Sequence, residues 1–210
     1  MSSNRSGPKS VSSTPAGLPV LGAPVRERAD AARNRIRVLE AAEKLFAERG
    51  VDAVTMDDVA GAAGVGKGTL YRRFGDKGGL AMALLDERER ELQERIITGP
   101  PPLGPGAEPA DRVGAFIEAY LELLDRQLDL VLLSETATTG ARFRTGAHAL
   151  WRRHCRHLLE AGGAEDAEIA ADVLLAALSA EQVRHWRQER EMSSATLAES
   201  LVRLARTWLR

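Results

Sequence analysis

An all-α fold follows from three features of the 210-residue sequence. Apolar residues recur at three- and four-residue intervals in most segments that lie between Gly and Pro clusters. Alanine and leucine, both strong helix formers, carry much of the apolar content, and β-branched runs are scarce. Capping residues stand where the periodic segments begin. Apolar residues make up 44% of the chain and charged residues 28%, a globular composition with length for one or two domains. Aromatics are only 4%, so the core must rest on Leu, Ala and Val.

Residues 1–25, MSSNRSGPKSVSSTPAGLPVLGAPV, are rich in Ser, Pro and Gly and lack the apolar stretch of a secretory signal. They are expected as a disordered tail, whose Arg5 and Lys9 offer no more than a weak electrostatic grip. Between Asp30 and Arg49, Ile36, Leu39, Ala42, Leu45 and Phe46 share one helix face, and Gly50 is a natural stop. Thr55 with Asp58 three residues on forms a capping box, which starts a second helix near Met56. That helix is short, with Val59, Ala60 and Ala63 inward and Gly64 at its end. A third covers KGTLYRRF, where Leu70 and Phe74 make one apolar face. Asp76 then caps a fourth, which runs through LAMALLDERERELQERII.

TGPPPLGPGAEP is a loop that no helix survives. Beyond it, ADRVGAFIEAYLELLDRQ, the short apolar LDLVLLSETAT, RFRTGAHALWRRHCRHLLEAGG, EDAEIAADVLLAALSAEQVRHWRQER and SATLAESLVRLARTWLR each read as helical. The expected division is a tail at 1–25, a head at 26–80 and a body at 81–210.

Charge is unevenly spread. Residues 1–80 carry thirteen Lys and Arg against nine Asp and Glu, and residues 81–210 carry sixteen against twenty-one. A basic head on an acidic body suggests that the head meets a polyanion. Arg outnumbers Lys by 25 to 4, a bias of GC-rich bacterial coding sequences.

Several chemistries are disfavoured. One cysteine, Cys155, allows no disulfide and no thiolate cluster within the chain, and fits a reducing cytoplasm. His154, His157 and Glu160 cannot easily converge on one ion, because six helical residues turn about 600°; no metal or other cofactor is expected. Cys155 and His154 are adjacent, so on a helix they diverge by about 100° and make a poor nucleophile–base pair. No apolar run approaches the length of a membrane span, and no enzyme motif stands out. GAAGVGKG has the glycines of a phosphate loop, but Gly68 stands where the loop needs Ser or Thr. The segment before it reads as a capped helix rather than a buried strand.

Two short helices joined at a glycine make a helix-turn-helix instead. Gly64 can take the positive φ of the turn, and Val65 plugs the turn into the core. Gly66 and Gly68 open the third helix, whose N-terminal end enters the major groove in this motif. Lys67, Thr69, Arg72 and Arg73 lie on or beside its exposed face, Tyr71 points off the core, and Lys77 follows it.

TMDDVAGAAGVGKGTLYRRFGDKGGL resembles the DNA-binding signature of the TetR (tetracycline repressor) family. That signature runs from a Thr to an Ala, then G-V-[ST]-x-x-[TAL]-[LIF]-Y-x-[HY]-F and [SD]-K-x-x-L. Thr55, Ala60, Gly64, Val65, Thr69, Leu70, Tyr71, Phe74, Asp76, Lys77 and Leu80 match it. RIRVLEAAEKLFAERGVDAVT resembles the family's first helix, so the likeness covers about residues 30–82. It implies phosphate contacts from Thr55, Tyr71 and Lys77, and places Lys67, Gly68, Thr69 and Arg72 nearest the base edges. Arg33 and Arg35 could add grip on the DNA backbone. Two residues depart from the pattern. Gly66 replaces the usual capping Ser or Thr, and Arg73 stands where His or Tyr is common.

In the body, Ile169–Ala180 holds one charge, Asp172, in twelve residues. A helix apolar nearly all round is buried on both sides. Val173, Ala176, Ala177 and Ala180, with Leu201, Leu204 and Trp208 of the last helix, are the candidate homodimer interface. A dimer would read an inverted repeat in double-stranded DNA with two heads about one turn apart. Phe116, Tyr120 and Trp151 are candidate walls of a small-molecule pocket, with Glu135, Thr136 and His148 as its polar groups. The expected function is a ligand-responsive transcriptional repressor. An activator of the same build, and a helical protein-interaction module, are the alternatives.

Overall fold

The computed structural model describes residues 25–136 and 138–210, with side chains from Asp30 onward. The tail expected at 1–25, with Arg5 and Lys9, lies outside the described residues save Val25. Among the described residues all regular structure is helical: α1 Val25–Arg49, α2 Met56–Ala63, α3 Lys67–Phe74, α4 Lys77–Thr98, α5 Pro109–Thr136, a 3-10 turn Ala141–Arg144, α6 Gly146–Ala161, α7 Ala167–Ala177, α8 Ala180–Arg184, a π turn His185–Glu189 and α9 Ser194–Arg206.

The head forms as the local chemistry dictates. Gly50 ends α1 at φ 78°. The Thr55 hydroxyl accepts from the Asp58 N–H at 3.2 Å, and the Asp58 carboxylate accepts from the Thr55 N–H at 2.9 Å. This reciprocal pair satisfies donors that the first turn of α2 would leave free. Gly64 takes the left-handed conformation, φ 62° and ψ 40°, and turns the chain into α3. Leu70 and Phe74 of α3 pack into one core with Val38, Leu39, Ala42, Val54, Val59 and Leu80.

The body is built around α5, which lies against α4, α6, α8 and α9. Its buried stripe includes Val113, Phe116, Ile117, Tyr120, Leu124 and Val131. The helices expected separately over ADRVGAFIEAYLELLDRQ and LDLVLLSETAT are one run, bent at Gln127, whose φ of −130° and ψ of 23° are non-helical. Gln127 is 4% exposed, and its side-chain amide donates to Glu43 Oε1 at 2.5 Å. A buried amide needs such a partner, and it finds one on α1. Arg88 of α4 donates to both Glu43 oxygens, at 3.1 and 2.5 Å. Thus α1, α4 and the α5 bend are tied at a single carboxylate.

Two other expectations change. The segment expected as one helix from Glu165 to Arg190 divides at Leu178 and Ser179, where the Ser179 hydroxyl caps α8 by accepting from the Gln182 N–H. α4 runs unbroken across positions 80 and 81, so the expected head–body boundary falls inside a helix. Among the described residues no helix is long and apolar enough to cross a membrane.

Candidate functional site

The exposed surface of α3 is the site. Its inward residues are Leu70 and Phe74, which leaves Gly68, Thr69, Tyr71, Arg72 and Arg73 outward on a helix of eight residues. Gly66 occupies the N-cap without a side-chain hydrogen bond, so the first N–H groups of the helix lack the usual hydroxyl partner. A Cβ placed on Gly68 would meet nothing within 4 Å, so this end of the helix is open to close approach. Tyr71 is 49% exposed. Arg72 is exposed and makes no ion pair among the described residues.

The other cations are held within the protein. Lys67 Nζ lies 2.5 Å from Asp57 Oδ2, and this hydrogen bond holds the ammonium above the ordinary lysine range. Arg73 donates to the Ala31 carbonyl of α1 at 3.1 Å, and Lys77 donates to the Asp52 carbonyl at 2.9 Å. The Thr55 hydroxyl also donates to Asp58 Oδ2 at 2.6 Å. Arg35 pairs with Glu87 at 3.3 Å, and Arg33 pairs with Asp30. A phosphate must compete with these partners for Lys67, Arg73, Lys77, Arg33 and Arg35, whereas Arg72 has no such partner among the described residues. The Asp57 clamp on Lys67 was missed from sequence. Its signal is a carboxylate at the start of one short helix and a lysine ten residues on at the start of the next.

In the body, Phe116, Tyr120 and Trp151 do meet, with ring centroids 5.7 to 6.1 Å apart. They fill their own space: Phe116 and Trp151 are buried, and Tyr120 is 6% exposed. Glu135 lies beside them, 3.4 Å from Arg142, and accepts from the Ala180 N–H at 2.9 Å. Burial pushes the Glu135 carboxyl up, and Arg142 and the Ala180 N–H oppose it. His148 is half-buried against the exposed ring of Phe143, at 5.3 Å, with its imidazole pushed down by burial and then by Arg142. Thr136 stands apart from the group. It is exposed, and its hydroxyl donates to the Leu132 carbonyl at 2.7 Å, closing the end of α5. Glu89 of α4, unremarked in the sequence, is partly buried, and burial first, then the charges of Asp86 and Glu135, push its carboxyl up to about 7.

The candidate interface residues separate. Val173, Ala176 and Leu204 are exposed, and Ala177 and Trp208 are partly so. Val173 and Trp208 line one groove together with Ile169 and Leu209. Ala180 and Leu201 are corrections, because both are buried within the chain's own core. Ala180 lies past the Ser179 break and no longer follows the face of α7. Leu201 is on the side of α9 that packs against α5. Cys155 is also buried, and burial pushes its thiol above the usual range.

An outward helix set at a left-handed glycine turn, carrying an arginine with no ion pair among the described residues, defines the class: a helix-turn-helix nucleic-acid-binding head on a helical body. Residues 38–84 match the family model of the bacterial regulatory proteins, tetR family. The match covers the helix-turn-helix and the start of α4. An HTH-type transcriptional regulator of Staphylococcus aureus strain bovine RF122 / ET3-1 is 47% identical over 69 residues, 33% of this chain and 36% of its own length. A second, from strain USA300, is 51% identical over 53 residues, 25% of this chain and 29% of its own. The likeness therefore spans about a third of those relatives. Among solved structures, a transcriptional regulator from Saccharomonospora viridis in complex with choline has a TM-score of 0.69 at 20% identity, over 85% of this chain and 98% of its own. A TetR-like regulator from Rhodococcus sp. RHA1 has a TM-score of 0.60 at 23% identity, over 82% and 93%. These two share the fold.

Proposed function

We propose that the protein is a homodimeric, ligand-responsive transcriptional repressor of the cytoplasm. Its α3 reads an inverted-repeat operator in double-stranded DNA. The observation that carries this reading is the outward face of α3, where Arg72 stands beside Thr69 and Tyr71 with no ion pair among the described residues. Arginine donating to the edge of guanine is the commonest specific contact in the major groove. In this reading Arg72, Thr69, Gly68 and Lys67 face bases, and Thr55, Tyr71, Arg73 and Lys77 face phosphates. The head at 26–80 does the reading, and the body at 81–210 dimerises and binds the effector.

Dimerisation through α7 and α9 buries Val173, Ala176, Leu204 and Trp208, which one chain leaves open. It sets two recognition helices about one DNA turn apart. A small molecule bound near Tyr120 and Glu135 shifts the balance toward the DNA-free arrangement, because it favours one of two states by its differing affinity for them. The Saccharomonospora viridis neighbour, solved with choline, offers a precedent for a small molecule in this fold.

Selection of random duplexes by the purified protein at stated salt tests the reading. It should enrich an inverted repeat of about 14–20 base pairs. A sequence-blind result that fades steeply with salt would reduce the head to counterion-release binding and overturn it. A reporter driven through the selected site separates repression from activation.

A further inference from the structure

The contact between Asp57 and Lys67 joins the starts of two helices. Asp57 is the second residue of α2, and Lys67 is the first of α3. The Lys67 ammonium donates to Asp57 Oδ2 at 2.5 Å, across the turn at Gly64. Asp57 has no other side-chain partner among the described residues. Its neighbour Asp58 is already engaged, because the N–H and the hydroxyl of Thr55 both donate to Asp58 Oδ2. Lys67 therefore depends on one carboxylate.

That carboxylate sets Lys67 apart from the other cations on and beside α3. Arg73 and Lys77 donate to the carbonyls of Ala31 and Asp52, and Arg72 makes no ion pair among the described residues. A carbonyl carries no net charge, so these three keep their full charge toward a polyanion. Lys67 has its charge balanced. Sequence-blind attraction to DNA comes from cations that neutralise phosphates and release counterions, and a lysine already balanced by a carboxylate adds little to it. An ammonium has three N–H donors, so one given to Asp57 leaves two. Lysine is a point charge on a flexible four-carbon stem, and a tether at its end limits where those two donors point.

We infer that Asp57 is a specificity-determining residue: by holding the Lys67 ammonium at the start of α3, it withholds that charge from phosphates and directs the remaining N–H donors to one base edge. The inference rests on the reading of α3 as the DNA-reading helix and adds a residue of α2 to the reader. Lysine donates to the O6 and N7 of guanine, so guanine is the expected base. Asp57 is a positioning residue, since it acts through Lys67 and need not touch DNA. The tether is light. The Lys67 and Asp57 side chains are 65% and 53% exposed, and an exposed pair biases its two arrangements by no more than about fivefold. Loss of Asp57 should therefore change preference and leave binding in place.

Binding titrations of the full chain test this on three kinds of duplex: the selected operator, operators with single base pairs replaced, and a random sequence. Asp57→Asn keeps the size of an exposed side chain and removes its charge. On the random duplex its plot of log affinity against log salt should steepen by about 0.9, one further phosphate contact. On the operator set its preference should fall by about threefold to fivefold, and at one base pair only. Lys67→Met should relax preference at that same base pair. Asp57→Ser repeats the test if Asp57→Asn does not fold.

A steeper slope with every base preference unchanged overturns the inference, since Asp57 then acts only by repelling phosphates. An unchanged slope, or relaxation at a base pair that Lys67→Met leaves alone, overturns it too. So does uniform weakening of all operators, the mark of a part in folding alone. A parent protein that selects no repeat overturns the regulator reading instead. One that selects its repeat while Asp57→Asn discriminates as before overturns only the role of Asp57.

Discussion

Arg88→Met tests the junction between head and body. Arg88 donates twice to Glu43, at 3.1 and 2.5 Å, and once to Glu91, at 2.6 Å. Its side chain is 19% exposed and that of Glu43 is 24% exposed, so both ions have lost most of their water, whereas Glu91 remains 47% exposed. The Glu91 contact therefore contributes little. Removing the guanidinium leaves Glu43 with one neutral partner, Gln127. Breaking a fully buried pair costs about 3–5 kcal/mol, and the remaining exposure here lowers that to about 2–3 kcal/mol. For a chain of this size the loss is a fall of about 5–10 °C in Tm. Urea titration at neutral pH measures it. In the double variant Arg88→Met/Glu43→Met no carboxylate is left unpaired, so it should recover at least half of the loss, since apolar replacement of a whole pair is often nearly neutral. The reasoning fails if Arg88→Met costs less than about 0.5 kcal/mol, or if the double variant costs the sum of the singles.

Tyr71→Phe should weaken all DNA sequences alike in a binding titration, whereas Arg72→Ala should relax preference at one base by about 1–3 kcal/mol. Uniform loss for Arg72→Ala would remove it as a reader. Val173→Asp places a charge on the open face of α7 and should yield monomers in sedimentation while leaving the helical content unchanged; a persisting dimer would place the interface elsewhere. Burial first, then the charge of Arg112, lowers the His154 imidazole to about 4. Its folded pKa is below its unfolded one, so the stability it confers is complete above about pH 6.5 and is lost as pH falls toward 4. Unfolding free energy should drop by about 2–3 kcal/mol from pH 7 to 4.5 through this residue. His154→Leu should lack that part of the slope, and an unchanged slope would place the acid sensitivity in other groups.

The head was legible because its signals are local. Thr55 and Asp58 are three residues apart, Gly64 needs only its own φ, and Leu70 and Phe74 fall on one face by helical period, so each could be placed from a few neighbouring letters. The capped starts of α2 and α4 and the uncapped start of α3 follow from the same short range. The outward set of α3 was equally readable, since fixing two inward residues of an eight-residue helix fixes the rest.

Long-range partnerships were not legible. Glu43 and Gln127 are 84 positions apart, and nothing in either segment announces that one carboxylate gathers an arginine from α4 and an amide from the α5 bend. That partnership accompanies a bend, where the periodic pattern suggested only two adjoining helices. Lys67, Arg73 and Lys77 read as free cations because their acceptors, Asp57 and two carbonyls, come from other elements. Ala180 and Leu201 read as interface residues because an apolar residue looks the same whether its own chain or a second chain covers it. Helical period thus settled which residues turn inward within each element. The packing of α5 against its neighbours decided which partly buried charges find a partner, as Glu43 does in Arg88 and Gln127, because electrostatic pairing depends on distance in space and leaves no period in the chain.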